Sequence, residues 1–296
     1  MAVGTSVIII TKGNLSGLKL LIKSLYDQTA PKDSFDVMVV DCSEDTETDH
    51  YLKDTPFLIE VNCCAPRENT AAAARNTGVA QTDGDRVLFL TDSMIAPPGL
   101  IDNHLAAHRS NPRRVVRGPI FPLAYNGEIP IKPLPVKAAP LFFSVWNCSF
   151  PKMALAKTEG FQDARSDYED VEIYWRLIKE GYPEFFTGDC YCYQDSTVCR
   201  GRGLDVIKAQ ASVMARSAVQ YYIKKNCRES AKIIGKGLGA QLKAMLRSNS
   251  LIYSISRSLR ESGLGKNPGM RAKLDQRIYE YYYRRALVEE MRVYGL

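Results

Sequence analysis

Through the first half of the chain, short apolar runs alternate with stretches in which apolar residues return every three or four positions. Ser6-Val-Ile-Ile-Ile-Thr11 is a continuous apolar run between hydroxyl residues, the pattern of a strand buried on both faces. Asn14 follows as a capping residue, and Leu15, Leu18, Ile22 and Leu25 form one helical stripe behind it. Phe35–Asp41, Phe57–Val61 and Arg86–Thr91 read as further strands, with an Ala-rich helix over Thr70–Thr82 that can pack closely. This alternation predicts an α/β fold, a mostly parallel sheet flanked by helices. Ligands of such open sheets collect outside the carboxyl ends of the strands, so Thr11, Asp41 and Asp92 should share one edge.

The pattern then changes twice. Pro119–Pro140 is a Pro-rich connector, followed by the apolar Leu141–Trp146 and a short helix near Pro151–Thr158. Ser166-Asp-Tyr-Glu169 is a capping-box pattern opening a helix that runs to about Glu180, with Val171, Tyr174, Trp175 and Ile178 inward and Asp170 in its first turn. From Leu204 onward the periodicity is helical, broken at Gly235–Gly239 and at Gly263–Pro268. Two domains are expected, residues 1–200 and a helical extension over 201–296.

Charge sharpens that division. The net charge is +6, yet residues from Gly201 onward hold 19 Lys and Arg against 7 Asp and Glu, while the first 200 hold 20 against 26. The two halves carry opposite sign. A hydrophobic content of 45 % excludes a disordered chain, and no apolar run approaches the roughly 20 residues of a spanning helix. No secretory signal is evident, so the expected place is the cytoplasm, as a peripheral protein at the inner membrane face where the chain meets a membrane. Eight cysteines match neither zinc-ribbon spacing nor a small disulfide scaffold and are expected to be reduced, mostly buried thiols; the minority reading gives Cys190, Cys192 and Cys199 a metal or redox role. His104 and His108 share a helix face with no acidic motif near, and a packing or surface role is expected.

Five motifs occur in register: Ser6–Thr11, Val39-Val-Asp41-Cys-Ser43, Ala74-Arg75-Asn76-Thr-Gly78, Phe89-Leu-Thr-Asp92 and Tyr168-Glu169-Asp170-Val-Glu172. Trp146-Asn147-Cys-Ser149 and Glu159-Gly160-Phe161 lie between them. In this order the chain resembles the family 2 glycosyltransferases from about residue 5 to about 195. The resemblance implies a GT-A sandwich and transfer of a sugar from a nucleotide diphosphate sugar with inversion. It implies Thr11 and Asp41 at the base, a carboxylate being able to accept the imide N–H of uracil or thymine, hence a UDP- or dTDP-linked donor. It also implies Arg75 at base or phosphate, Asn76 on the donor side holding the loop, Asp92 near the ribose with Ser93 beside it as a donor-binding residue, and Asp170 as general base. The positive end of a helix favours the charged form that a base needs. Trp146, Asn147 and Glu169 are the acceptor-side candidates, and Glu172 with Arg176 an i,i+4 pair.

Two departures from the family's pattern bear on metal. The second aspartate of its Asp-x-Asp motif is Met94 here, and its usual histidine beyond the base is replaced near Gln194. A thioether is a poor ligand for Mg²⁺ or Mn²⁺, so dependence on a divalent ion is doubtful. Asp195 with Ser93 is the rival oxygen-ligand set, and Arg200 and Arg202 are the cations expected to face the leaving diphosphate instead.

The basic half has three readings. Nine basic residues and one acid between Lys224 and Arg260 sit among apolar residues at helical spacing, which suits an anionic membrane surface or a lipid-linked acceptor. Intrachain neutralisation or homo-oligomerisation is the second and an acidic polymer the third; no nucleic-acid recognition motif appears. The expected function is glycosyl transfer to a glycan or lipid-linked acceptor in cell-envelope or polysaccharide assembly. The alternative is a degenerate nucleotide-binding scaffold.

Overall fold

The structure, a computed structural model, describes residues 4–123, 144–162, 169–195, 204–225, 234, 249–266 and 268–296. The chain divides into two compact units, Met1–Asp163 with Glu169–Val198, and Ala164–Tyr168 with Cys199–Leu296.

In the first unit the order is β1 Thr5–Thr11, α1 Leu15–Tyr26, β2 Phe35–Asp41, α2 Glu47–Asp54, β3 Val61–Cys64, α3 Ala71–Ala80, β4 Arg86–Thr91, β5 Met94–Ile95, α4 Leu100–Ser110, β6 Val115–Arg117 and β7 Ile120–Leu123. It continues with β8 Cys148–Pro151, α5 Lys152–Lys157, α6 Glu169–Lys179, β9 Glu184–Phe186 and β10 Cys192–Asp195. A seven-stranded sheet runs β3-β2-β1-β4-β8-β6-β9, and a small sheet β5-β10-β7 stands beside it. The first four strands of the large sheet are mutually parallel, and β8 is antiparallel to both β4 and β6.

The unbroken apolar run of β1 follows from its central place. Ile8 packs into a core cluster with Val40, Phe89, Phe150, Phe161, Ile173 and Leu177. Val7 and Ile9 enter the opposite cluster with Leu18, Leu21, Ile22, Leu25, Leu90 and Met94. Both faces of the strand are dry, so alternation has no polar position to show. Helix α1 starts where its cap demands, Asn14 Oδ1 accepting the Gly17 N–H at 3.2 Å. Helix α3 approaches β1 closely because Gly78 has no Cβ, which would lie 2.6 Å from Ile8 Cγ2.

The third strand corrects the expectation over Phe57–Val61. Pairing begins at Val61 and sets Cys63 opposite Val39. Phe57 and Ile59 are apolar as loop residues that cover a core: Phe57 packs edge-on against Tyr51 at 5.8 Å and Ile59 is buried in the second cluster. The short strands β5 to β10 left no periodic trace in two to four residues.

The second unit contains α7 Leu204–Lys225, α8 Ser250–Glu261 and α9 Pro268–Val293, with α9 packed along α7 and α8. Tyr253 stacks on Tyr281 at 4.3 Å and shares a 2.8 Å hydrogen bond with the Tyr282 hydroxyl. Buried Arg260 pairs with Asp275. No helix among the described residues is long and apolar enough to cross a membrane. Most of the basic 224–260 segment, residues 226–233 and 235–248, lies outside the described residues, as do 124–143 of the connector and Ser166 of the capping box.

Candidate active site

The register of the sheet decides what meets at its edge. Thr11 pairs with Asp41, and Ile10 with Thr91, so Thr11, Asp41 and Asp92 emerge side by side at the carboxyl ends of β1, β2 and β4. Strand β8 runs against β4 with Cys148 opposite Phe89, which brings residues 145–147, just before it, to the same edge. Asp170 is bound there, its Oδ2 accepting the Val145 N–H at 3.0 Å.

On the β1/β2 side each acid has a local partner. Asp92 Oδ2 accepts the Thr11 hydroxyl at 2.8 Å and the Lys12 N–H at 3.3 Å, and its carbonyl accepts Asn14 Nδ2 at 3.4 Å. Gly17 makes this possible: a Cβ there would lie 2.2 Å from the Asp92 carbonyl oxygen. Thr11 is itself buried and serves Asp92. Asp41 Oδ1 accepts both the N–H and hydroxyl of Ser43, at 2.9 and 2.7 Å, in a local Asx-type turn.

On the β8 side the residues are locked together. Arg75 Nη1 lies 2.8 Å from Glu169 Oε2 and Nη2 lies 3.2 Å from Asp170 Oδ1. The guanidinium also lies over the rings of Trp146 and Phe161, 5.1 and 5.3 Å from their centres. Arg75 is 5 % exposed, so the expected contact with base or phosphate is replaced by a hold on two carboxylates. Asn76 holds a loop, donating to the Phe161 carbonyl at 2.7 Å and accepting the Phe161 N–H at 2.9 Å. That loop turns through Glu159 and Gly160 at positive φ, and a Cβ on Gly160 would lie 2.6 Å from Asn76 Oδ1. Arg176 pairs with Glu172 as expected, at 2.6 Å.

Asn147 corrects an acceptor-side expectation. It is wholly buried, with Nδ2 donating to the carbonyls of Pro119 and Cys190, so it cannot touch an acceptor. Trp146 beside it is half-buried and Glu169 borders Asp170. Arg200 and Arg202 lie outside the described residues. The pattern could not reveal the Val145 N–H, a backbone donor without side-chain signature, but Lys12, directly after a strand ending in Thr11, was legible as an edge residue.

A divalent ion finds a poor fit. Met94 is 2 % exposed within the apolar core, and its cross-strand neighbour is Gln194. Gln194 donates to Ser93 Oγ at 3.2 Å, and Ser93 Oγ lies 2.8 Å from the Thr91 hydroxyl. The Asp195 N–H donates to the Ser93 carbonyl at 2.8 Å. No group of three His, Cys, Asp or Glu side chains able to hold a metal occurs among the described residues. His104 and His108 are buried and packed, not surface residues. Cys190 and Cys192 are buried free thiols, both pushed up to about 12 by burial, which suits packing better than redox chemistry; Cys199 lies outside the described residues, and Cys63 is exposed.

Residues 6–134 match the profile of Glycosyl transferase family 2. The pre-mycofactocin glycosyltransferase of Mycobacterium tuberculosis is 26 % identical over 201 residues, 60 % of this chain and 39 % of that protein, so the match spans about two fifths of the curated relative. Among solved structures, the mannosyltransferase PcManGT from Pyrobaculum calidifontis, in complex with GDP-Man and Mn²⁺, is similar with a TM-score of 0.63 at 15 % identity, covering 97 % of this chain and 86 % of that one. Residues 1–349 of S. aureus TarS, in complex with UDP-GlcNAc, are similar with a TM-score of 0.57 at 16 % identity, covering 99 % of this chain and 92 % of that one. At these identities the structures speak for the fold, which is GT-A-like. Through residues 6–134, a little under half of its length, the chain is similar to glycosyl transferase family 2.

Proposed function

We propose that the protein transfers a sugar, with inversion, from a nucleotide diphosphate sugar to an acceptor hydroxyl, with Asp170 as general base. The observation that carries this reading is the gathering of Asp170 onto the sheet edge that holds Asp41 and Asp92. Among the described residues each carboxylate oxygen of Asp170 has one protein partner, so acceptor capacity remains. An acceptor O–H gives its proton to Asp170 as its oxygen bonds to the anomeric carbon from the face opposite the diphosphate. The bond from that carbon to the diphosphate oxygen breaks, and the electron pair leaves on the nucleoside diphosphate. Glu169 and Trp146 line the acceptor side.

Asp41 has Oδ1 committed to Ser43, which leaves Oδ2 to accept an imide N–H; this favours a UDP- or dTDP-linked donor. The acceptor we favour is a glycan or a lipid-linked intermediate in cell-envelope assembly, reached at an anionic membrane surface through the basic half, residues 201–296 forming a separate domain. The buried Met94 and the Gln194–Ser93 bond support transfer with little or no dependence on a divalent ion.

A panel of nucleotide sugars, read by nucleoside diphosphate release, tests the class. Asp170→Asn should cost about 10²–10⁴-fold in turnover with an unchanged melting curve. Full activity in that variant would remove Asp170 as base, and a protein that binds donor yet releases nothing from any donor would return the scaffold reading. Full-length protein failing to float with anionic vesicles at low salt would remove the membrane contact.

A further inference from the structure

Two buried histidines behind the carboxylate cluster take part in a hydrogen-bond pattern with one solution. Helix α4 turns His104 and His108, each 1 % exposed, toward Ser149 of β8. His104 Nδ1 lies 2.8 Å and His108 Nε2 2.7 Å from the Ser149 hydroxyl oxygen, and His104 Nε2 lies 3.3 Å from Asn147 Oδ1. Asn147 Nδ2 donates to the Pro119 carbonyl at 3.1 Å and the Cys190 carbonyl at 2.7 Å. Those two bonds orient the amide, because a reversed one would set its oxygen against two carbonyl oxygens.

Proton positions follow in sequence. Asn147 Oδ1 is an acceptor, so His104 Nε2 carries a hydrogen. A neutral His104 then accepts at Nδ1 from the Ser149 hydroxyl. Ser149, its one hydrogen spent, accepts from His108 Nε2–H. The nitrogen left over is His108 Nδ1, a bare lone pair, and it is the His108 atom found without a hydrogen-bond partner. Burial keeps both rings neutral, holding His104 down to about 4 and His108 down to about 3, the latter helped by His104 and Arg86.

The relay ends on a corner of the backbone. Asn147 has a φ of 52°, its N–H donates to the Phe89 carbonyl at 2.9 Å, and its carbonyl accepts the Gly118 N–H at 3.1 Å. With the three side-chain bonds, every polar atom of the residue is engaged. Immediately before it, Trp146 lies against Arg75 and Val145 donates to Asp170. Both partners of the Asp170 carboxylate are thus braced from one corner.

We propose that His104, Ser149 and Asn147 are positioning residues for Asp170, a one-way relay from His108 through Ser149 and His104 to Asn147 that locks residues 145–147 and aims the Val145 N–H and Arg75 at the carboxylate. The proposal rests on Asp170 being the base. Asp41 and Asp92, the proposed donor contacts, belong to the other side of the edge, so disturbing the relay should reduce kcat and spare the KM for donor.

The test uses Ser149→Ala, Ser149→Thr and Asn147→Gly in the full chain. Glycine adopts the left-handed backbone readily, so Asn147→Gly deletes the side-chain bonds without straining the turn. Ser149→Ala and Asn147→Gly should each lower kcat per folded molecule about tenfold or more, with donor KM within about twofold. Ser149→Thr, which keeps the hydroxyl, should recover most of the turnover. Unchanged kcat in both variants, or a loss that Ser149→Thr does not recover, beside an inactive Asp170→Asn, would overturn the positioning role and leave the proposed reaction standing. An active Asp170→Asn would overturn the reaction itself. Histidine-selective nitrogen NMR of the unaltered protein gives a check that needs no variant: His104 should carry its hydrogen on Nε2, and a hydrogen on Nδ1 overturns the relay.

Discussion

The two sides of the sheet edge treat their carboxylates differently. Among the described residues, Asp41 and Asp92 are satisfied by a serine, a threonine and backbone N–H groups, and neither forms an ion pair. Asp170 and Glu169 share a buried guanidinium that is also covered by two aromatic rings. The first arrangement leaves carboxylate oxygen available to a ligand's hydrogen-bond donors, as the proposed recognition of a base and ribose requires. The second fixes a carboxylate in position, as the proposed proton abstraction requires. Substitutions on the two sides should therefore differ in kind: binding on one, turnover and stability on the other.

The largest break in that comparison is Arg75→Met. It removes the cation between Glu169 and Asp170 and leaves two half-buried carboxylates side by side, a change expected to cost about 3–5 kcal/mol. Denaturant unfolding measures the loss. Arg75→Lys should recover only part, since an ammonium lacks the fork that reaches both acids. Stability within about 1 kcal/mol of the unaltered protein would show that the cation is not what holds this side together.

Acid should act on the same side through the histidines. The folded state holds His104 down to about 4 and His108 down to about 3, against an ordinary value of 6.5. Between 6.5 and those values the unfolded chain binds protons that the folded chain refuses, so stability falls as pH drops through that window. The slope approaches about 1.4 kcal/mol per pH unit for each histidine. Urea midpoints at a series of pH values should show this fall, and His104→Gln should flatten it by one histidine's share. An unaltered slope in that variant would mean that other groups carry the acid sensitivity.

The sequence pattern made the strand ends of β1, β2 and β4 almost fully readable and the β8 side of the edge only partly so. Thr11, Asp41 and Asp92 end long, dry, parallel strands, where a continuous apolar run and its terminal polar residue locate both element and edge. Asp170 was legible from its place in the first turn of a helix. Arg75 was found but misassigned, because helical spacing cannot distinguish a guanidinium facing a phosphate from one buried against a segment 94 residues away. Asn147 reads from sequence as an acceptor-side residue because its buried role depends on a positive φ and on two carbonyls from distant loops. The same holds for the antiparallel strands, whose short segments are specified by long-range pairing and not by local period.

The smaller effects belong to the nucleotide side. Asp92→Asn keeps an oxygen for Thr11 and Lys12 but loses the charge, so donor KM should rise roughly fivefold, about 1 kcal/mol, with kcat and stability little changed. A fall in kcat instead would merge the two sides into one catalytic unit. The smallest effect expected is that of chelation. At the position where the family's pattern places a second aspartate, Met94 is packed into the core, and the nearby oxygens of Ser93 and Thr91 already bond to each other. Turnover with EDTA should stay within about twofold of turnover without it, because hard cations select charged oxygen donors that these residues do not provide. Complete loss on chelation with full rescue by Mn²⁺ would require a ligand set built around Asp92 and Asp195, and would make the nucleotide side, too, a place where a cation fixes carboxylates.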